Sequence, residues 1–315
     1  MFTKEPSQHV TPLSDEQAGF PEQVVPDYLT APPAPSALPP SPWFGVVKAF
    51  IVWVLSVAML IVVPLGVALP YLIYQIYKFG PPHPEALAED KTLIFLSILG
   101  VLPTHLLTFG LIWLLATEGG KQPFLKTLGF QWPKNVSPWV ATLLCFLLAL
   151  GLLVVGWGVT TLLGGNKTQL DLLVESSTAA RVATALVATL TAPFVEELIY
   201  RGVLYSALER AAGRAISVLL VSLLFAGVHV LQYSNNIGVI VVITILSFTL
   251  TLARAYSGSI LPPFIIHLVF NGIQSLFILL TPFIQKSPEI TPTTPGFQLA
   301  GRLFQAINVY VWRMT

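Results

Sequence analysis

Two adjacent carboxylates and an arginine lie inside a stretch of the chain that is otherwise apolar, Pro193-Phe194-Val195-Glu196-Glu197-Leu198-Ile199-Tyr200-Arg201-Gly202. Residues four apart on an α-helix lie almost one above the other, whereas neighbours are rotated by about 100°. Glu197 is therefore predicted to form an ion pair with Arg201. Glu196 has no partner on its own helix, so its carboxylate is suited to proton transfer. The alternative for Glu196 is a neutral acid that is hydrogen-bonded to a neighbouring helix.

A histidine follows in the next apolar stretch, at the end of Phe225-Ala226-Gly227-Val228-His229. The ring of Phe225 lies one helical turn before His229 on the same face, so it can fix the orientation of the imidazole. The alternative is a histidine that joins two helices by a hydrogen bond. His105 stands alone in its apolar block and is predicted to make a hydrogen bond of that packing kind.

A second histidine, His267, is followed four residues later by Asn271. On a helix the two side chains point the same way, and they offer two hydrogen-bond donors aimed at one point. A developing oxyanion requires such a pair of donors. The alternative is again that both residues join helices by hydrogen bonds.

These residues must be carried by membrane-spanning helices, because the 315-residue chain is 54% hydrophobic and only 10% charged. A soluble domain has about 25% charged residues, and crossing a membrane takes about 20 apolar residues. The apolar blocks lie at about 44–77, 92–117, 138–163, 182–209, 214–232, 237–257 and 260–283. The predicted fold class is an all-α, polytopic transmembrane helical bundle with about seven spanning helices.

The polar, proline-rich residues 1–42 are predicted to form a disordered tail, since proline is excluded from helix interiors. No signal-peptide pattern is found there, so the transmembrane segments themselves are expected to drive insertion. Residues 43–119 are assigned to N-terminal transmembrane helices, and 284–315 to a C-terminal interfacial segment. The basic residues of short loops favour a cytoplasmic N-terminus under the positive-inside rule; they are Lys121, Lys126, Lys134, Arg210 and Arg214.

The net charge of +1 and the absence of a dense basic run make nucleic acid an unlikely partner. The lipid bilayer is the expected environment, and the oligomeric state is not indicated. The single cysteine, Cys145, lies in an apolar block and is interpreted as a packing residue. Asp171 and Glu175, near Lys167, are interpreted as part of a solvated polar face.

Together the three motifs resemble the CAAX-protease and bacteriocin-processing (CPBP, or Abi) family of intramembrane peptidases, whose hallmarks are EExxxR, FxxxH and HxxxN or HxxxD in that order. The resemblance covers about residues 120–283, which would form the catalytic transmembrane core. It implies hydrolysis of a peptide bond, with Glu196 activating a water that His229 helps to hold. It also implies that His267 and Asn271 stabilise the oxyanion. The supporting residues would be Glu197, Arg201, Phe225 and Tyr200.

Tyr200 is a small departure from the family pattern, in which phenylalanine more often precedes the arginine. Its hydroxyl lies one turn from Glu196 and is predicted to be able to hydrogen-bond that carboxylate. The resemblance implies a membrane protein or peptide as substrate, either a CAAX-type tail or a bacteriocin-like precursor. The expected location is a prokaryotic plasma membrane or an internal membrane of a eukaryote.

A metal ion is the main alternative within this mechanism, because Glu196, His229 and His267 make a His₂Glu set like that of catalytic zinc sites. Asn271 is a poor zinc ligand, and its pairing with His267 fits two hydrogen-bond donors better. Chemistry without a required cofactor is therefore favoured, with zinc as the alternative. Outside the peptidases, the alternatives are a transporter or proton pathway that uses the buried Glu and His groups, and a non-catalytic membrane scaffold.

Overall fold

The protein is a bundle of long apolar helices in a computed structural model that describes residues 42–133 and 136–285. Within these ranges all regular structure is helical, which confirms the predicted polytopic helical bundle. In the described part of the chain, six helices are long and apolar enough to cross a membrane: Gly45–Phe79, Lys91–Ala116, Pro138–Leu163, Thr178–Ala212, Ile237–Ser257 and Leu261–Phe283. The predicted tail except Pro42, nearly all of the predicted interfacial segment, and Lys134 lie outside the described residues.

The apolar block 214–232, predicted as a further span, forms a helix over Arg214–Tyr233 (20 residues). At 1.5 Å per residue this helix rises about 30 Å, close to the thickness of a hydrocarbon core. The cytoplasmic N-terminus stays a prediction.

The elements are labelled in chain order. They are α1 (Pro42–Phe79), α2 (Pro84–Glu89), α3 (Lys91–Ala116), α4 (Phe124–Leu128), α5 (Pro138–Leu163), α6 (Gln169–Ser176), α7 (Thr178–Leu186), π1 (Val187–Thr191), α8 (Ala192–Glu197), π2 (Leu198–Leu204), α9 (Tyr205–Ala212), α10 (Arg214–Tyr233), α11 (Ile237–Ser257) and α12 (Leu261–Gln285). The predicted blocks 138–163 and 237–257 coincide with α5 and α11.

Helix α3 packs against α1 at a close approach between Gly100 and Pro64. A Cβ atom added to Gly100 would stand only 2.5 Å from the Cα atom of Pro64, so glycine is needed there. Asp90 caps the start of α3 by accepting hydrogen bonds from the backbone N–H groups of Thr92 and Leu93. Helix α3 also contacts α7, π1 and α8, so it connects α1 with the helix that carries the two glutamates.

That glutamate-bearing helix, Thr178–Ala212, is interrupted by the two π-helical segments π1 and π2. The N–H of Ala192 bonds to the carbonyl of Val187, and the N–H of Tyr205 to that of Tyr200, five residues back in each case. Pro193 has no N–H to donate, which weakens the regular α pattern next to π1. Single π-helical turns within α-helices are frequent at functional sites. The two π turns flank the short α-helical segment that carries Glu196 and Glu197.

The second half of the bundle is formed by α5, α11 and α12, which share a core with Cys145, Leu152, Leu246 and Phe270. Cys145 is buried there as a free thiol, as predicted. Helix α10 packs on α11 and brings Phe225 and His229 towards α12.

The polar segment before α7 departs from the prediction at Asp171, whose side chain is only 2% exposed. Asp171 forms a capping box with Thr168 at the start of α6. The interpretation of Asp171 as a solvated residue is therefore wrong. Glu175 does lie at the surface, where it pairs with Lys167 at 2.6 Å.

Candidate active site

The buried carboxylate of Glu197 lies at the centre of the candidate site. Its Oε1 atom accepts a hydrogen bond from Arg201 Nη1 at 3.0 Å, and it lies 2.9 Å from Nδ1 of His267. The side chains of Glu197 and Arg201 are both fully buried. The predicted i,i+4 ion pair is thus present, and His267 of α12 joins it.

Arg201 is fixed by groups from two further helices. Its Nη2 atom donates to the backbone oxygen of Ser247 at 3.1 Å and to the hydroxyl of Ser247 at 3.2 Å. The guanidinium carbon stands 4.7 Å from the ring centroid of Phe225. The hydrogen bonds, the anion and the aromatic face around this buried cation offset part of its lost hydration, while its Nε atom is buried without a hydrogen-bond partner.

Glu196 differs from its neighbour in exposure and in partners. Its side chain keeps 24% of its accessible surface, and its Oε2 atom lies 3.7 Å from Nε2 of His267. The two nitrogens of His267 therefore face two different carboxylates. Glu196 is the one that solvent or a substrate can reach.

The imidazole of His229 is held from its own helix. Its Nδ1 atom lies 2.8 Å from the carbonyl oxygen of Phe225. A carbonyl can only accept, so Nδ1 carries the hydrogen and Nε2 of the neutral ring keeps its lone pair. The rings of Phe225 and His229 lie 4.6 Å apart, as the spacing predicted.

Phe225 also packs against two other members of the site. Its ring centroid lies 5.9 Å from that of His267 and 5.0 Å from that of Tyr200, both in edge-on geometry. The aromatic ring of α10 thereby gives His229, His267 and Arg201 a common apolar support.

Asn271 is engaged differently from the prediction. Its Nδ2 atom donates to the backbone oxygen of Ala188 in π1 at 3.0 Å. One amide hydrogen of Asn271 and the Nδ1 side of His267 are thus already occupied. Only the second amide hydrogen and Nε2 of His267 are left for an oxyanion.

The hydroxyl of Tyr200 does not follow the suggested bond to Glu196. It accepts a hydrogen bond from Nε1 of Trp53 in α1 at 3.2 Å. His105, by contrast, makes the predicted packing hydrogen bond, with the hydroxyl of Thr191 at 2.8 Å.

Sequence reasoning did not find Trp53, Ser247 or the carbonyl of Ala188 as parts of the site. The only signal for Ser247 was a polar residue within an apolar block. The carbonyl of Ala188 leaves no signal in the sequence, because every residue has one.

The residues proposed for zinc do not form a metal-binding group in this geometry. Among the described residues, no three or more His, Cys, Asp or Glu side chains are grouped so that they could hold a metal ion. His267 has Nδ1 directed to Glu197, which leaves it one nitrogen for any ligand.

Residues 178–273 match the family model described as type II CAAX prenyl endopeptidase Rce1-like. The matched segment contains all of the predicted site residues, and it confirms the resemblance to the CPBP family. The family implies a peptidase, and with the six apolar helices it indicates an integral, multi-pass membrane protein. Helices α1 and α3 lie outside the match. No match was found among curated proteins or among solved structures.

Proposed function

We propose that this chain is an intramembrane endopeptidase that cleaves a CAAX-type tail from a lipid-modified protein or peptide. The family model matched by residues 178–273 describes prenyl endopeptidases, which favours this substrate over a bacteriocin-like precursor. The observation that carries the proposal is the position of His267 between the carboxylates of Glu196 and Glu197. One carboxylate is buried and paired, and the other is accessible.

Glu196 acts as the general base. Its carboxylate is partly exposed and has no arginine partner, so it can take a proton from a water molecule as the oxygen attacks the scissile carbonyl carbon. The same carboxyl group then delivers that proton to the departing nitrogen. The C–N bond breaks, and water has been added across it.

His229 orients the attacking water. Since its Nδ1–H is held by the carbonyl of Phe225, its Nε2 lone pair can accept a hydrogen bond from the water. The water's remaining hydrogen then points to Glu196. Two acceptors that hold one water fix the direction of its oxygen lone pair.

His267 stabilises the oxyanion from Nε2. Because Nδ1 already donates to Glu197, a hydrogen on Nε2 requires the doubly protonated, cationic ring. In that state the two negative charges of Glu196 and Glu197 are balanced by the two positive charges of Arg201 and His267. The second amide hydrogen of Asn271 adds a neutral donor on the same helical face.

A lipid-anchored substrate suits the surroundings of this site. The outer faces of α1, α5 and α10 carry many exposed large hydrophobic side chains, as expected for contact with lipid. A peptide that is tethered by a prenylated cysteine is confined to the same bilayer. Its scissile bond would approach Glu196 from the membrane rather than by free diffusion in water.

The test uses the purified full chain in lipid vesicles with a quenched fluorescent peptide that ends in a farnesylated CAAX sequence. We expect cleavage after the modified cysteine, and none with Glu196→Gln, which keeps the shape but not the base. The thermal unfolding temperature of Glu196→Gln should stay near that of the unsubstituted chain. Undiminished cleavage by Glu196→Gln would refute the assigned base. Proton flux across the vesicles without any cleavage would instead support the transporter alternative.

A further inference from the structure

His105 connects α3 to the helix that carries Glu196. Its imidazole is buried, and its Nδ1 atom lies 2.8 Å from the hydroxyl of Thr191, the last residue of π1. The other buried polar residues of this part of α3 bond only within α3 or to α1: Thr104 to the carbonyls of Gly100 and Met59, and Thr108 to the sulfur of Met59. The bond of His105 is the one that reaches the site helix.

The hydroxyl of Thr191 has a second partner, the carbonyl oxygen of Val187 at 3.3 Å. In the tautomer of His105 that carries its hydrogen on Nδ1, the oxygen of Thr191 accepts from Nδ1–H and its own hydrogen is donated to Val187. His105, Thr191 and the carbonyl of Val187 then form a continuous chain of hydrogen bonds from α3 into π1.

The same π turn holds Asn271. Ala188, the neighbour of Val187, offers its carbonyl to Nδ2 of Asn271 at 3.0 Å. Two side chains from separate helices, His105 of α3 and Asn271 of α12, thus bond to the same π turn, at Thr191 and at Ala188.

We propose that His105 is a positioning residue for the active site. By donating to Thr191 it holds π1 in the geometry in which the carbonyl of Ala188 fixes the rotamer of Asn271. The free amide hydrogen of Asn271 is thereby aimed at the oxyanion. This inference rests on the proposed peptidase function, and it extends the site to a helix outside the segment that matches the family.

Two substitutions of His105 separate a hydrogen-bonding role from a space-filling one. His105→Leu fills a similar volume without a donor, whereas His105→Asn keeps an N–H close to the position of Nδ1. With the farnesylated peptide, we expect His105→Leu to lower kcat about tenfold with KM changed less than about twofold, because an oxyanion donor is misplaced. His105→Asn should recover most of the loss.

A spectroscopic measurement reports on Asn271 directly. With ¹⁵N-labelled asparagine, the side-chain amide signal of Asn271 is assigned by its absence in Asn271→Asp. We expect His105→Leu to shift this signal. Thr108→Val is the matched control, because it removes a buried hydroxyl from the same helix that bonds to Met59 and not to π1. It should leave both kcat and the amide signal unchanged.

An unchanged kcat and amide signal in a folded His105→Leu variant would overturn the proposal. Equal effects from Thr108→Val would also overturn it, since they would reflect the packing of α3 in general. If His105→Leu does not fold, Thr191→Val breaks the same bond and is judged by the same readouts. If the unsubstituted chain cleaves no peptide, the proposed function fails, and the amide signal still decides whether His105 positions Asn271.

Discussion

Nδ1 of His267 lies 2.9 Å from Oε1 of Glu197, the same oxygen that receives the guanidinium of Arg201 at 3.0 Å. The second glutamate of the pair is therefore a buried anchor for a histidine as well as for an arginine. It fixes which nitrogen of His267 is turned towards Glu196. Two adjacent residues of one type thus have separate tasks because one is buried and the other is accessible.

The buried ion pair should be essential to stability. Arg201→Ala leaves the carboxylate of Glu197 without its main cation, and Glu197→Ala leaves the guanidinium without its anion. We expect each to lower the free energy of unfolding by about 3–5 kcal/mol. Unfolding by denaturant in detergent measures the change.

The matched control is Glu175→Ala, which removes one partner of the exposed pair between Glu175 and Lys167. The side chain of Glu175 keeps 28% of its accessible surface, and that of Lys167 keeps 58%. An exposed pair contributes at most about 1 kcal/mol. Equal losses in the buried and exposed variants would contradict the anchoring role of Glu197.

Asn271 should matter for the rate of the chemical step. Asn271→Ala removes the donor to the oxyanion and also leaves the carbonyl of Ala188 without its partner. We expect kcat to fall about 10²- to 10³-fold with KM little changed, as for other single oxyanion donors. Ser275→Ala, one turn further along α12 at another buried polar residue, is the control and should keep its activity. A rise in KM with kcat unchanged would assign Asn271 to substrate binding instead.

Chelation should leave the activity intact. With Nδ1 of His267 directed to Glu197 and with the amide Asn271 on the same face, the site offers hydrogen-bond donors rather than a set of metal ligands. We expect well under one zinc per chain by elemental analysis of active protein, and cleavage that persists in a chelator. Stoichiometric zinc whose removal abolishes cleavage, and whose return restores it, would refute the glutamate mechanism proposed above.

The packing of α3 on α1 is testable at two glycines of α3. Gly100→Ala places a Cβ atom 2.5 Å from the backbone of Pro64, so the two helices must move apart. We expect a loss of about 1–3 kcal/mol in stability. At Gly110 an added Cβ would meet nothing within 4 Å, so Gly110→Ala should gain up to about 1 kcal/mol from helix propensity. Similar thermal shifts for the two variants would show that the close approach is not important.

Contacts within one helix could be predicted from the sequence. The pairs Glu197 with Arg201 and Phe225 with His229 are each four residues apart, and the period of the helix alone places them together. The boundaries of α5 and α11 followed equally from the lengths of their apolar blocks. Such features depend only on local geometry.

Contacts between helices could not be predicted, because they depend on rotation and depth in the bundle. The bridge from His267 to Glu197 spans 70 residues, and the bond from Trp53 to Tyr200 spans 147. The π turns were also missed. Each π turn replaces the α-helical hydrogen-bond pattern by the π-helical one. The π turns are stabilised by Asn271, which donates to the carbonyl of Ala188, and by Arg254, which donates to the carbonyl of Arg201 at 3.0 Å. Pro193 weakens the α pattern next to π1, but no local residue pattern indicates that a π turn replaces it.

The distance along the chain between Arg201 and its partners has a consequence for how the protein is made. The helix with Glu196, Glu197 and Arg201 is synthesised before two of the groups that surround it. Ser247 follows Arg201 by 46 residues, and His267 follows Glu197 by 70. At roughly 5–20 residues per second, His267 emerges about 4–14 s after Glu197. During that interval Glu197 and Arg201 have each other but lack Ser247 and His267, and an unpaired charge such as that of Glu196 costs about 2.5–3.5 kcal/mol at mid-membrane. This helix is therefore expected to stay beside the translocon, or near the membrane surface, until α11 and α12 arrive to complete its burial.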